Sequence, residues 1–200
     1  MEGNTRIWII RHGEPSPETR GRCYGHLDVE LSCEGRKQVQ TVADRLNGET
    51  IRTIYSSPRR RALESAAILA AQLHAAVTIE ERFREIDFGT FEGRLYDEIA
   101  QEYPEIYRQW MEYPTETQFP NGESFVQMQT RVTEAAQALY ARHRGETIAI
   151  VSHGGVNRIL LAAALGVANE NFFHIAQRFA AMNQVVLIGG DYPSVELMNG

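Results

Sequence analysis

The stretch "IWIIRHGEP", residues 7–15, carries an apolar run straight into an arginine, a histidine and a glycine. A short run of this kind, rich in β-branched side chains, has the pattern of a strand buried on both faces. Its far end delivers two basic groups side by side. A second stretch, "IAIVSHGG" at 148–155, repeats the design late in the chain, ending in Ser152, His153, Gly154 and Gly155. These two run-ends decide the fold and point to the site.

Working outward, strands alternate with helices. Ser32 is a capping residue for a helix over about 34–47, with Val39, Ala43 and Leu46 on one face. "RTIYS" reads as the next strand, and "SPRRRALESAAILAAQL" as a helix with Pro58 in its first turn and Ala62, Ala66, Leu69 and Leu73 as the core stripe. A short strand "AVTI" follows, then one or two short helices over 95–113 broken near Pro104, then a long amphipathic helix over 124–143. "TIAIV" is another buried strand, "VNRILLAAALG" its helix, and "NQVVLIGGDYPSVEL" two strands around a Gly-Gly-Asp turn. This order predicts an α/β protein with a mainly parallel sheet and helices on both faces. Ligands in such sheets sit beyond the carboxyl ends of the strands, against helix N-termini. Arg11-His12 and Ser152-His153 both fall there.

Composition bounds the function. The 200 residues, 43% hydrophobic and 23% charged, suit one domain over 1–200 with a helical cap-like insertion at about 95–122. No apolar run approaches the roughly 20 residues of a membrane span, and "MEGNTR" lacks the apolar core of a signal peptide. Cys23 and Cys33 form no CxxC pair and suit a reducing cytoplasm. The net charge of −6 weighs against a nucleic-acid partner, so any anion site is a local basic pocket in an acidic protein. A homodimer is left open.

Alone, Arg11-His12-Gly13 is no more than a surface loop. Four further features join it: "SSPRRRAL", which puts Arg61 at the start of a helix; "FREIDFGTFEG" at 83–93, with Glu85 beside a glycine turn; His153 followed by two glycines; and "PNGES" at 120–124. In this order the set resembles the histidine phosphatase, or phosphoglycerate mutase-like, superfamily over nearly the whole chain. The resemblance implies a three-layer α/β/α sandwich and a small-molecule phosphate ester as substrate. It implies that His12 is the nucleophile and becomes phosphohistidine, that Arg11, Arg61 and His153 hold the phosphoryl oxygens, and that Glu85 gives the leaving group its proton. Asp87 and Glu92 are the alternatives to Glu85. Tyr24, Gly25 and Gly154 are the further substrate-binding positions.

Elementary chemistry agrees with those roles. Phosphoryl transfer concentrates charge on the nonbridging oxygens, so its catalysis is positioning and electrostatic stabilisation. Arginine forks onto phosphate with two parallel bonds. A neutral imidazole attacks phosphorus without first losing a proton and divides one displacement into two. The Gly13 carbonyl can fix its tautomer. The amides opening the helix at Gly154 and Gly155 favour an anion. The Arg and His cluster supplies the positive charge that metal ions bring elsewhere, so no metal and no cofactor is expected.

Other residues receive plainer readings. Arg59 and Arg60 are read as a solvated helix start, Glu14 as ordering its loop, and His26, His74, His143 and His174 as outside any metal-ligand spacing. Tyr96, Tyr103, Tyr107, Trp110 and Tyr113 are either an aromatic cap over the leaving group or ordinary helix packing. The mutases of the family carry an asparagine shortly after R-H-G-E and often H-G-N at the second motif. This chain has "PSPETRG" and His153-Gly154-Gly155, with Arg20 or Arg22 as substitutes for the missing contact. Residues 20–38 look most like α-ribazole phosphatases of cobalamin synthesis. A broad-specificity phosphatase, a phosphoglycerate mutase and a catalytically dead phosphate-binding module are the competing readings.

Overall fold

Strand β1, Thr5–Arg11, lies inside the sheet, with Ile7, Ile9 and Ile10 fully buried. The computed structural model describes residues 3–200. Five more strands join β1: β2 (Ile51–Ser56), β3 (Ala76–Ile79), β4 (Thr147–Ser152), β5 (Met182–Ile188) and β6 (Tyr192–Leu197). Their spatial order is β3-β2-β4-β1-β5-β6. The first four run parallel, and β5 and β6 close one edge as an antiparallel hairpin.

Strand alternation divides the core. Ile7 and Ile9 face one side, among Met128, Val132 and Leu139 of α5 (Phe125–Arg142) and Val156 and Leu160 of α6 (Gly154–Leu165). Trp8 and Ile10 face the other, among Val39 and Ala43 of α1 (Cys33–Arg45) and Ala62, Ala66 and Leu69 of α2 (Arg60–Leu73). The result is the three-layer α/β/α sandwich expected from the sequence. Ser32 caps α1, accepting from the Gly35 amide. Ser124 caps α5 in a reciprocal box with Gln127.

One helix boundary differs. Pro58 precedes α2 rather than lying in its first turn, and Arg59 is the cap. The Arg60 amide is satisfied by the Asp28 carboxylate at 2.7 Å, a group brought by a distant segment. Residues 95–122 hold two short helices, α3 (Tyr96–Glu102) and α4 (Pro104–Glu112), with Pro104 opening the second. They pack over a third cluster of Cys23, Phe91, Ile99 and Phe119.

The topology places the loops. β4 lies between β1 and β2, with Arg11 opposite Ser152 and Ser56 opposite Val151. The chain continues that pairing past the strand ends: the His12 amide donates to the Ser152 carbonyl and the Ser57 amide to the Val151 carbonyl, both at 3.0 Å. Three loops 140 residues apart at the extremes (12 to 152) thus emerge side by side at one sheet edge.

Candidate active site

His12 and His153 meet edge to face, their ring centroids 5.2 Å apart. Both are buried. His12 Nδ1 lies 2.7 Å from the Gly13 carbonyl, which can only accept, so Nδ1 carries the proton and Nε2 the lone pair. Arg61 Nε donates toward that lone pair at 3.3 Å. Burial, reinforced by Arg61 and then Arg11, holds the His12 imidazole well below its ordinary range. The ring is therefore neutral, with its Nε2 lone pair turned away from the Gly13 carbonyl.

Arg61 is fully buried and tightly held. Its terminal nitrogens donate to the carbonyls of Leu27 at 3.0 Å and Gly25 at 2.7 Å, with Tyr24 at 3.4 Å. Burial lowers its guanidinium to about 10, which leaves it charged at neutral pH. Arg11 stacks over Phe179 at 4.3 Å and donates to the Gln177 carbonyl at 2.6 Å. Its Nε is buried with no protein partner among the described residues, as is Nδ1 of His153. An arginine donor and an imidazole nitrogen in one cleft, both without a protein partner, suit an oxyanion site. Burial, then Arg61 and His12, depress the His153 imidazole as well.

The turn at 24–27 is held by Glu92. Its carboxylate accepts the amides of Gly25, His26, Leu27 and Phe88 at 2.7 to 3.1 Å. A side chain at Gly25 would meet the Ile86 carbonyl at 1.9 Å, so only glycine fits that crossing. Both polar backbone atoms of Gly25 are therefore taken by protein partners. The Tyr24 hydroxyl lies against Arg11, and its ring stands 5.4 Å from the Arg61 guanidinium. Gly154 opens α6, and a Cβ there would come 3.5 Å from Arg11 Cζ.

Of the three carboxylates weighed as acid, Glu92 is surrounded by amides, and Asp87 holds the Gly89 amide at 2.8 Å and faces His26 at 3.3 Å. Glu85 is different. It accepts the Gly155 amide at 3.0 Å and the Ile86 amide at 3.0 Å, and it lines a cavity of about 700 Å³. That cavity is walled by Phe88, Tyr96, Tyr107, Trp110, Phe119, Phe125, Met128, Phe172 and Phe173. Arg158 is the one cationic side chain in this lining. It is fixed by the Ile175 carbonyl at 2.8 Å and lies 5.2 Å from the Phe173 ring.

Several expectations need correcting or sorting. Tyr96, Tyr107 and Trp110 line the cavity, whereas Tyr103 packs beneath it on Phe91 at 5.2 Å and Tyr113 is exposed. Neither Arg20 nor Arg22 reaches the cleft: Arg20 is exposed and pairs with Glu14, and Arg22 donates to the Gly93 carbonyl. Arg59 is not a solvated residue, because it donates to the His26 carbonyl at 2.7 Å; Arg60 is one, paired with Glu30 and Glu64. Sequence reading overlooked Ser57, Gln177, Phe179 and Arg158. Only Arg158 left a signal, standing one helical turn beyond Gly154 and so on the same face.

The comparisons with known proteins concur. The family model described as "Histidine phosphatase superfamily (branch 1)" matches residues 7–200. Phosphoserine phosphatase 1 of Hydrogenobacter thermophilus is 35% identical over 84% of this chain and 80% of its own. The adenosylcobalamin/α-ribazole phosphatase of Escherichia coli is 30% identical over 84% and 83%. The crystal structure of the α-ribazole phosphatase from Shigella flexneri superposes with a TM-score of 0.87 at 26% identity, covering 98% and 96% of the two chains. With paired imidazoles, a buried and a half-buried arginine at the sheet edge and a family match spanning almost its full length, this chain belongs to the histidine phosphatase superfamily.

Proposed function

We propose that this phosphatase cleaves a small phosphate monoester through a phosphohistidine on His12, and that the ester is α-ribazole 5′-phosphate or a close analogue, whose leaving alcohol bears a flat aromatic base. His12 Nε2 attacks phosphorus and the ester P–O bond breaks. Arg11, Arg61 and His153 take the nonbridging oxygens, and Glu85 gives its proton to the departing oxygen. In the second half, Glu85 takes a proton from water as that water attacks phosphorus. The P–N bond then breaks and inorganic phosphate leaves.

The observation that carries the substrate reading is the aromatic cavity abutting Glu85 and Gly155. A leaving group bonded to the phosphoryl oxygen beside Glu85 must extend into it. Apolar rings favour a stacked heterocycle and disfavour a zwitterion, whose charges would lose water there. A second reading, phosphoserine, is favoured by the relative of that name and by Arg158, which can meet a carboxylate.

The deciding experiment compares kcat/KM for α-ribazole 5′-phosphate, phosphoserine, sugar phosphates and 3-phosphoglycerate. One ring stack is worth about 0.5–1.5 kcal/mol, so two should favour the ribazole ester by roughly tenfold or more. Preference for phosphoserine would select the second reading. Faster formation of 2-phosphoglycerate than release of phosphate from any ester would replace hydrolysis by isomerisation.

A further inference from the structure

Ser57 precedes α2 and is fully buried, and none of the phosphoryl-transfer roles above uses it. Its Oγ stands 2.7 Å from His153 Nε2. The same oxygen accepts the Arg59 amide at 3.3 Å. Two arrangements of protons are available. In one, Ser57 donates its hydroxyl proton to Nε2, and the imidazole proton sits on Nδ1. In the other, Nε2–H donates to Ser57; the hydroxyl proton then has no protein acceptor within hydrogen-bond reach among the described residues, and a bare Nδ1 lone pair faces the site. The second leaves a buried donor unmet and repels a phosphoryl dianion, so it is disfavoured twice. The first leaves only Nδ1–H open, the atom already found without a protein partner.

We infer that Ser57 is a positioning residue that fixes His153 as the Nδ1–H tautomer and so turns a neutral imidazole into a hydrogen-bond donor to the phosphoryl oxygen. The two histidines then carry their proton on the same nitrogen but use opposite ones. The Gly13 carbonyl holds the proton of His12 and exposes the Nε2 lone pair. Ser57 fills the lone pair of His153 and exposes the Nδ1 proton. The assignment rests on the reading of His153 as a phosphoryl ligand.

Two-bond proton–nitrogen correlation spectra of the 15N-histidine-labelled enzyme, with His153 assigned by His153→Gln, should show Nδ1 protonated and Nε2 bare. A protonated Nε2 with bare Nδ1 would overturn the inference. In Ser57→Ala, an Nε2–H population should emerge, and single-turnover formation of phosphohistidine should slow by roughly tenfold to a hundredfold, part of the cost of losing one oxyanion donor. Ser57→Thr should restore both. An alanine variant that phosphorylates at the wild-type rate, or slows with its tautomer unchanged, refutes the role. Should that variant not fold, the wild-type spectrum and the threonine variant still decide. A wild type that turns over no ester overturns the hydrolase reading, while the spectrum continues to decide the tautomer.

Discussion

Arg61 Nε donates to His12 Nε2 across 3.3 Å, so the guanidinium proposed to bind the phosphoryl oxygen rests on the lone pair proposed to attack phosphorus. The contact keeps Nε2 unprotonated, because an N–H there would collide with a fixed cation. On the proposed mechanism it also makes ligand entry an exchange of partners: an arriving phosphoryl oxygen accepts the Arg61 Nε hydrogen bond in place of His12 and uncovers the Nε2 lone pair in one motion.

That pairing predicts the outcome of removing the ring. His12→Ala should fold normally and lose turnover by roughly 10⁴-fold or more, since the other groups merely assist. An acid-labile, base-stable label should form on wild type quenched with radiolabelled ester and be absent from the variant. A label retained at the wild-type level by His12→Ala would move the nucleophile elsewhere.

Glu85→Gln should divide substrates by leaving group. General acid help is worth about 10²–10⁴-fold, and an alkoxide needs it while a nitrophenolate does not. The aryl ester should therefore give a burst and then stall as phosphohistidine, because the second step also lacks its base. Equal slowing of the first step for alkyl and aryl esters would exclude the assignment.

What the sequence disclosed here follows from how each feature is encoded. β1 and β4 announced themselves because buried parallel strands are continuous apolar runs, and the groups at their carboxyl ends followed from topology. Arg61 shares its helix start with Arg59 and Arg60, and only the resemblance to the family singled it out from them. The function of Glu92 was not, because its four amide donors come from a turn 65 to 67 residues away and from Phe88, and nothing in local spacing records that crossing. Phe179 and Gln177 lie in a loop without periodicity. The onset of α2 was misplaced because Asp28, a residue outside the helix, satisfies its first amide.

The Glu92 turn yields its own prediction. Glu92→Gln would set an NH₂ among backbone donors, leaving buried amides unmet at about 1–3 kcal/mol in stability. The carbonyls of Gly25 and Leu27 hold Arg61, so catalysis should fall together with the melting temperature. Thermal scans and kcat/KM measured on the same preparations test this; a melting temperature unchanged from wild type would contradict it.

Gly155→Ala should separate geometry from stability. The new Cβ would lie 2.3 Å from Glu85 Oε1, forcing the carboxyl aside, while alanine in a helix is otherwise favourable by up to about 1 kcal/mol. Alkyl ester turnover should drop roughly tenfold to a hundredfold with the fold intact, and the first step with an aryl ester should change little. Unaltered alkyl turnover would show that Glu85 need not stay where its bond to the Gly155 amide places it.

Acid should destabilise the protein through the two buried rings. An imidazole in the unfolded chain takes up a proton near pH 6.5, whereas burial and the flanking arginines hold His12 and His153 well below that. Between the two values the unfolded state binds more protons, so stability falls as pH drops below about 6.5 and is flat for these groups above it. Each ring contributes a slope of up to about 1.4 kcal/mol per pH unit in that window. Carboxylates lose their native advantage at lower pH, and His26, also lowered, adds a smaller share, so the wild-type curve alone is not diagnostic. The comparison with His12→Asn is, because it removes one titrating ring and leaves the others. Urea midpoints from pH 7.5 to 5.0 in phosphate-free buffer should fall less steeply for the variant. A bound phosphate dianion stabilises the imidazolium and should flatten the wild-type slope. Parallel curves for wild type and variant would mean that His12 is protonated as readily inside the fold as outside it, and the neutral nucleophile would have to be abandoned.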